Sequence, residues 1–368
     1  MDPADLRAAI PACERGVYFN TGASGPAPRN VVEATSDFLE HHEYVAPVAE
    51  GAYPAAFDTF DEARARAADF VGADPDEIAL TESTADGIAR VAAAIDWSPG
   101  DVVVRTDLEH SAGVVPWWNL REQGVEVRVL DTEAGRLNLD ALADAAADAR
   151  LLCCNSITWN YGTQLPIQRI VEIAHDHDTL VLVDGVQSPG QVPVDVGEWN
   201  ADFVAGAGHK WLLGPWGAGF LHVDRDVADR LTPGVASYRS VADAGADEED
   251  LELAAGARRF EVGTTSPAPY RGLIEAMDTI EAIGHGTITD RIERLTDRLK
   301  AGLGDRLLSP REYESGLVTF AADDPEGLVD RLADEGVHVR SLPNPEAVRA
   351  SVHVFNTASD VDALLDAL

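Results

Sequence analysis

The chain of 368 residues has few basic side chains and almost no lysine. It holds 28 lysine and arginine residues against 64 acidic ones, which gives a formal charge of −36 and a pI near 4.4; only Lys210 and Lys300 are lysines. A surface this negative repels phosphate backbones and anionic lipids, which argues against nucleic-acid and membrane partners. Acid excess with arginine in place of lysine predicts adaptation to a salt-rich cytoplasm, because salt screens the self-repulsion.

Cysteine and long apolar runs are also scarce. Cys13, Cys153 and Cys154 are too few for a disulfide framework, and the adjacent pair lies in the apolar run LLCCN, which predicts core positions. No apolar run reaches the ~18 residues that span a membrane, and the acidic amino terminus does not resemble a signal peptide, so we expect a cytoplasmic protein. The sequence lacks a Gly-x-Ser-x-Gly elbow, a nucleotide P-loop and metal-ligand spacings, which excludes the corresponding sites.

Short apolar segments alternate with helical stretches between residues 70 and 225. Spacings of roughly 20–30 residues leave room for crossover helices, and near-continuous apolar strands are typical of a sheet covered on both faces. The pattern predicts a mostly parallel α/β sheet with strands at 102–105, 125–130, 151–155, 180–184, 202–205 and 219–223. The acidic segment 241–257 is predicted to form an exposed loop that could cover the site.

The composition changes near Pro269. A long charged helix at about 273–303 precedes a β-α-β-β-α pattern, which predicts a small α+β domain. Lys300 lies in that helix and is expected at the surface.

Lys210 lies in the apolar, glycine-rich segment DFVAGAGHKWLLGPWGAGFLHV. Burying an ammonium group is costly unless the group is paired or its pKa falls. A lysine in such surroundings is typical of a Schiff base with a carbonyl compound, either a substrate or pyridoxal phosphate. The alternative is a strand-end lysine whose ammonium group reaches water.

Polar residues follow several other predicted strands. Asp184 ends the strand in TLVLVDGVQ, where a carboxylate could keep a pyridine nitrogen protonated, and Gln187 could contact the ring hydroxyl. Ser83 and Thr84 begin a helix whose free amides suit a phosphate, and His110 could stack on an aromatic cofactor. Each has a structural alternative: Asp184, Ser83 and Thr84 as helix caps, and His110 as a structural histidine.

The combination resembles the class V aminotransferase family of pyridoxal-phosphate (PLP) enzymes. That family includes cysteine desulfurases, selenocysteine lyases and isopenicillin-N-epimerase-like proteins. The matching segments occur in family order from about residue 18 to 357: YFNTGASGPAP, TESTADGIARVA, EHSAGVVPWW, SITWNYGTQLPI, VDGVQSPGQVPVDV, GHKWLLGPWGAGFL, RRFEVGTTSP and RASVHVFNT.

The resemblance implies a PLP-dependent transferase fold of type I. It places the large PLP-binding domain at 18–265, with a mostly parallel, doubly wound sheet, and a small α+β domain at 1–17 and 266–368. A small α-amino acid is the implied substrate and a homodimer the implied assembly.

The resemblance also implies a role for each candidate residue. Lys210 would form the Schiff base with PLP and act as acid–base catalyst, assisted by His110 on the ring face and Asp184 at the pyridine nitrogen. Gln187 would contact the ring oxygen of PLP, and Arg349 would bind the substrate carboxylate. The phosphate of PLP would be bound by Ser83, Thr84 and His209, and the phosphate in the partner subunit by Gly263 and Thr264.

Departures from the family pattern affect the reaction. Desulfurases carry a sulfur-accepting cysteine upstream of the RAS motif, but here that stretch reads VRSLPNPEAV, and no cysteine follows Cys154. Trp159 replaces an asparagine of the desulfurase motif, as in the epimerase-like branch, while Ala207 and Ser111 replace a serine and a histidine.

The sequence leaves the reaction open. Transamination and C–S or β-elimination lyase chemistry are the first predictions. Epimerisation or racemisation of an amino acid is an alternative, and cysteine desulfuration is disfavoured by the missing cysteine. A non-catalytic assembly partner is the remaining alternative.

Overall fold

The structure is a computed structural model that describes all residues from Met1 to Leu368. Its strands are β1 Val17–Tyr18, β2 Ile78–Thr81, β3 Val102–Thr106, β4 Glu126–Leu130, β5 Leu151–Asn155, β6 Leu180–Asp184, β7 Phe203–Ala207, β8 Gly219–Val223, β9 Leu317–Phe320, β10 Val337–His338, β11 Arg340–Pro343 and β12 Glu346–Ser351. Its α-helices are α1 Pro3–Ala9, α2 Arg29–Glu40, α3 Ala52–Val71, α4 Thr84–Ala94, α5 Val115–Leu120, α6 Leu139–Ala146, α7 Ile167–His175, α8 Val196–Trp199, α9 Arg225–Ala228, α10 Ala268–Ile283, α11 His285–Leu303, α12 Pro325–Asp334 and α13 Ala358–Asp366.

The main sheet has seven strands in the order β2-β8-β7-β6-β5-β3-β4. Strands β3 to β7 pair in parallel, whereas β8 pairs antiparallel with both β2 and β7. The six predicted strands are present with ends within two residues of the prediction. The predicted α/β fold with a mostly parallel sheet is therefore confirmed.

Both faces of this sheet are covered by helices. Alternate strand residues enter two hydrophobic clusters: Val104 and Leu152 pack with α3, α7 and α10, whereas Val103 and Leu151 pack with α4 and α5. A period of two along each strand sends neighbouring side chains to opposite faces, which explains why these strands are apolar throughout.

A second, antiparallel sheet has the order β11-β12-β9, and β1 pairs in parallel with β10. Phe19, just after β1, is fully buried in the cluster that this sheet forms with α11, α12 and α13. Near the amino terminus, Arg7 forms an ion pair with Asp360 of α13 at 2.7 Å. The first 20 residues thus pack on the carboxy-terminal elements, while the domain bounds given above stay a prediction.

Three details differ from the sequence-based expectations. The predicted helix at 273–303 is two helices, α10 and α11, separated by Gly284, whose φ of 86° is not helical. Lys300 was expected at the surface and is instead buried, where its ammonium group donates a hydrogen bond to the Glu312 carbonyl at 2.7 Å. The segment 241–257 is mostly exposed, as predicted, but none of its residues lines the pocket described below.

No helix is long and apolar enough to span a membrane.

Candidate active site

A cavity of about 340 Å³ opens at the edge of the main sheet where its parallel strands end. Ligands of open α/β sheets bind at this edge, because the loops that follow neighbouring strands converge there. Eight of the predicted site residues line the cavity: Ser83, Thr84, His110, Asp184, Gln187, His209, Lys210 and Arg349.

Lys210 follows β7 by three residues and lies partly buried in the cavity wall. Its ammonium group forms no salt bridge, and burial lowers its pKa to about 8, although the charge of Asp184 acts in the opposite direction. A lysine with this pKa has a substantial neutral fraction near neutral pH, which is the form that attacks a carbonyl or accepts a proton.

Asp184 is the last residue of β6 and is 4% exposed. Its Oδ1 accepts a hydrogen bond from the Val186 N–H at 3.0 Å. Burial raises the pKa of this carboxyl, while the charge of Lys210 acts to lower it. Asp184 is the only acidic residue that lines the cavity, and it suits a protonated ring nitrogen.

Gln187 is held rigidly beside Asp184. Its Oε1 accepts a hydrogen bond from Trp211 Nε1 at 2.7 Å, and its Nε2 donates to the Gly22 carbonyl at 3.1 Å. These contacts fix the amide orientation and leave one N–H of Nε2 for a ligand oxygen.

One end of the cavity is suited to a phosphate. Ser83 caps α4 by accepting the Asp86 N–H at 3.2 Å, and the buried Thr84 Oγ1 has no hydrogen-bond partner. The centre of the His209 ring lies 4.6 Å from that of the Trp216 ring. Burial, and to a lesser extent the positive charge of Lys210, lowers the pKa of His209 to about 4. Free helix amides with two hydroxyls and an imidazole form an anion site.

His110 lies on the cavity wall after β3. Its ring meets Trp159 edge to face at 5.4 Å, and its Nδ1 accepts the Ala112 N–H at 3.3 Å. Burial, and to a lesser extent the positive charge of Lys210, lowers the pKa of His110 to about 4. The ring is therefore neutral near pH 7. A neutral imidazole held in this way offers a flat face to an aromatic ligand.

Arg349 lies in the cavity as predicted and is unusual there, because it is a cation with only 1% exposure and no carboxylate partner. Its Nη1 donates to the Trp159 carbonyl at 2.7 Å, whereas its buried Nε and Nη2 have no partner. Burial, and to a lesser extent the positive charge of Arg340, lowers the pKa of the Arg349 guanidinium to about 9. Two free parallel N–H donors fit a carboxylate, which would also satisfy the buried charge.

Two predicted site residues lie elsewhere. Gly263 and Thr264 are outside the cavity, where the Thr264 N–H donates to the Tyr238 hydroxyl at 2.7 Å. In the single chain they cannot touch this cavity's ligand, so their assignment to the partner subunit's phosphate stays a prediction.

Sequence reasoning missed Arg340 and Glu109. Arg340 lines the cavity and lies directly across from Arg349 on the neighbouring strand. A tight turn assigned to the segment PNPE would have predicted this cross-strand pair. Glu109 is buried behind His110, bonded to Thr106 Oγ1 at 2.7 Å and to Asn155 Nδ2 at 3.2 Å. Burial raises its pKa to about 8, and no sequence signal distinguishes it from the other acidic residues.

The residues present fit PLP. The unpartnered Thr84 hydroxyl and free α4 amides suit its phosphate, Asp184 its nitrogen, the free Gln187 N–H its ring oxygen and Lys210 its aldehyde. The volume also lies at the lower end of the roughly 300–1,000 Å³ usual for cofactor and ligand sites.

Comparison with known proteins agrees with this arrangement. Residues 17–364 match the family described as Aminotransferase class-V. A probable cysteine desulfurase of Methanothermobacter thermautotrophicus is 33% identical over 395 residues, covering 100% of this chain and 98% of the relative. Isopenicillin N epimerase of Streptomyces clavuligerus is 29% identical over 377 residues, covering 96% and 94% of the two chains.

Among solved structures, the chain is similar to C-DES, a cystine C–S lyase, in complex with its reaction product cysteine persulfide. The TM-score is 0.91 with 26% identity, over 97% of this chain and 98% of that one. A variant of C-DES, also at a TM-score of 0.91 and 26% identity, holds a glycine covalently linked to PLP. These likenesses confirm the predicted fold type I and the predicted cofactor. The chain belongs to the class V aminotransferase family of PLP-dependent enzymes.

Proposed function

We propose that the protein cleaves the C–S bond of a cysteine-derived α-amino acid by β-elimination and releases the sulfur in a small product. The observation that carries this proposal is a cavity with the lysine, carboxylate and arginine of a PLP enzyme but with no cysteine among its lining residues. The relatives named as cysteine desulfurases and the cystine C–S lyase support sulfur chemistry.

Each residue then has a defined task. With PLP held by these residues, the chemistry supplied at the site would be electron withdrawal that makes the substrate Cα proton acidic. Lys210, with its pKa of about 8, takes that proton and later returns protons to the product. Asp184 stabilises the positive charge on the ring nitrogen, and Arg349 fixes the α-carboxylate and so aligns Cα with Lys210.

The sulfur has no acceptor on the enzyme. Cys153 and Cys154 are fully buried on β5, where burial raises the pKa of both thiols, and Cys13 is only half-buried in the amino-terminal segment. The thiolate is the nucleophilic form of cysteine, so these buried thiols are poor acceptors. Asn344 and Pro345 alone connect β11 to β12, which leaves no loop that could carry a cysteine to the cavity.

The overall reaction balances with water alone. For a disulfide substrate, the Cβ–S bond breaks with its electron pair moving to sulfur, and a persulfide leaves. The remaining three carbons and the amine become pyruvate and ammonium after one water is added. No oxidant, reductant or enzyme thiol is consumed.

Product analysis of the holoenzyme tests the proposal. With L-cystine we expect pyruvate, ammonium and cysteine persulfide in equal amounts. Retention of the amine on the cofactor with release of a keto acid would instead establish transamination, and accumulation of the D-isomer would establish epimerisation. Alanine formed from cysteine, with sulfur bound to the protein, would overturn the proposal in favour of desulfuration.

We also propose that the chain forms a homodimer through the face that carries Thr264. There, Tyr53 and Phe57 are 61% and 40% exposed, and with Tyr238 they line a shallow cavity beside Thr264. Exposed aromatic side chains in contact with one another are typical of protein interfaces. Light scattering should give twice the chain mass, and Phe57→Asp should lower it; a monomeric wild type would refute the dimer.

A further inference from the structure

Glu109 is a buried carboxyl group behind the cavity wall, and none of the ligand contacts assigned above uses it. It is 7% exposed and forms no salt bridge. Its partners are uncharged: the Thr106 hydroxyl lies 2.7 Å from Oε1, and the Asn155 amide lies 3.2 Å from Oε2. A buried carboxylate is strongly disfavoured unless a cation or several N–H donors offset its charge. A carboxyl group with these partners is therefore more stable when it is protonated.

The titratable groups around Glu109 add to this effect. They are Asp184 on β6 and the thiols of Cys153 and Cys154 on β5, none of which can supply positive charge. The next residue, His110, is neutral because its own pKa is about 4. Burial raises the pKa of Glu109 to about 8, and the negative charge of Asp184 acts in the same direction. Most of Glu109 is thus protonated near pH 7.

The side chain of Glu109 lies directly beneath the turn that follows His110. The Gly113 N–H closes this turn by donating to the His110 carbonyl at 2.8 Å. A Cβ added at Gly113 would lie 3.4 Å from Glu109 Oε2. Because Thr106 at the end of β3 fixes the other oxygen, the carboxyl group has one position under the turn. The backbone that carries the His110 ring therefore rests on Glu109.

The second oxygen of Glu109 connects this turn to the strand beside Asp184. Asn155 is the last residue of β5 and lies directly opposite Asp184 of β6. Its Nδ2 donates to Glu109 Oε2 at 3.2 Å and to the Leu108 carbonyl at 3.0 Å, so both of its N–H groups are used and the amide is fixed. One carboxyl group thus joins the segment that carries His110 to the strand end next to Asp184.

We propose that Glu109 is a positioning residue that stays protonated: it holds His110 at a fixed distance from Asp184 and leaves Asp184 as the single negative charge behind the PLP ring. A second carboxylate at this place would favour protonation of Asp184, which could then no longer stabilise a protonated ring nitrogen. The inference concerns how the cofactor is held. It therefore does not depend on which reaction the enzyme catalyses.

Glu109→Gln tests the charge. Glutamine has the shape of a protonated glutamate, and it can accept the Asn155 N–H while it donates to the Thr106 hydroxyl. We expect the Kd for PLP to stay within about twofold of the wild type and the absorption maximum of bound PLP to be unchanged. In the infrared difference spectrum of the two holoenzymes near pH 7, the variant should lack the carbonyl band of a protonated carboxyl group.

Glu109→Ala tests the position. It should weaken PLP binding roughly two- to tenfold, the size of one aromatic contact, because the His110 ring is no longer held against the cofactor. The same change in a His110→Ala chain should have little further effect on the Kd, since Glu109 acts through His110. Asp202→Asn is the matched control. Asp202 is also 7% exposed but binds the Val181 N–H at the opposite edge of the sheet, outside the cavity, so the Kd should not change.

Three outcomes would overturn the inference. One is the loss of a carboxylate band in Glu109→Gln, because Glu109 would then be charged. Another is a Glu109→Ala chain that binds PLP as the wild type does. The third is a Glu109→Ala effect of equal size with and without His110, because the substitution would then act through a general loss of structure. If Glu109→Ala does not fold, Thr106→Val removes one of the two contacts of Glu109 with little change of shape, and the same comparison in the His110→Ala chain decides.

Discussion

Removing every cysteine should leave the enzyme active. The change is Cys13→Ala, Cys153→Ala and Cys154→Ala in one chain. If sulfur leaves with the product, no protein thiol takes part, and the turnover per bound PLP should stay within about twofold of the wild type. An enzyme that passes sulfur to its own cysteine would lose turnover almost completely, because the acceptor nucleophile is removed.

The stability cost of these changes follows from the packing. Cys153 and Cys154 are both fully buried but face opposite sides of β5, so each substitution leaves a void in a different cluster. Each lost sulfur is comparable to a buried methylene plus its cavity, about 1 kcal/mol, and the effects should add because the clusters are separate. The expected loss of about 2 kcal/mol lowers Tm by at most about 8 °C.

The assay measures pyruvate release from L-cystine below the lowered Tm, with bound PLP quantified by absorbance in each sample. Lys210→Ala in the same cysteine-free chain is the control, and it should abolish release. A cysteine-free enzyme that folds, binds PLP and fails to release pyruvate would refute the reasoning. Single-cysteine variants would then identify the thiol involved.

Three further predictions concern the site and the surface. Covalent uptake of PLP by the apoprotein should rise with pH with a midpoint near pH 8, where half of Lys210 is neutral, and in Asp184→Asn this midpoint should fall because Asp184 raises the pKa of Lys210; stopped-flow absorbance measures both. Thr84→Val should weaken PLP binding about tenfold through the lost hydroxyl contact, while Thr59→Val, at a buried helical threonine outside the cavity, should not change the dialysis-measured Kd. The unfolding midpoint in urea should rise from low to molar KCl, because the charge of −36 repels itself less when screened; an unchanged midpoint would refute the predicted salt adaptation.

The sequence was sufficient for features that depend on local pattern. Apolar runs predicted the strands of the main sheet, and the residues at their carboxyl ends, such as Asp184 and Thr84, meet in one cavity as the parallel sheet requires. Long-range packing was harder to predict. Lys300 lies in a charged helix, and only the fold shows that its side chain is buried and that its ammonium group donates a hydrogen bond to the Glu312 carbonyl.

The same limit explains why Arg340 was missed. Arg340 is the last residue of the predicted strand VHVR but the first residue of β11 in the structure, so neither its strand nor its partner across the hairpin was predicted. A shift of one residue would point its side chain to the opposite face. The sequence alone does not show that Arg340 lies beside Arg349 in the cavity, because that position follows from the strand register.

The turn at Asn344 and Pro345 has two consequences for the cavity. A longer connection at this point would free the chain between β11 and β12, and a cysteine on such a loop could enter the cavity. With only two residues, the connection excludes that loop and holds Arg340 in register with Arg349. One structural feature therefore removes a covalent sulfur acceptor and places a second arginine at the cavity wall. The cysteine-free chain tests the first consequence, because an enzyme that needs no thiol of its own keeps its turnover when all three cysteines are replaced.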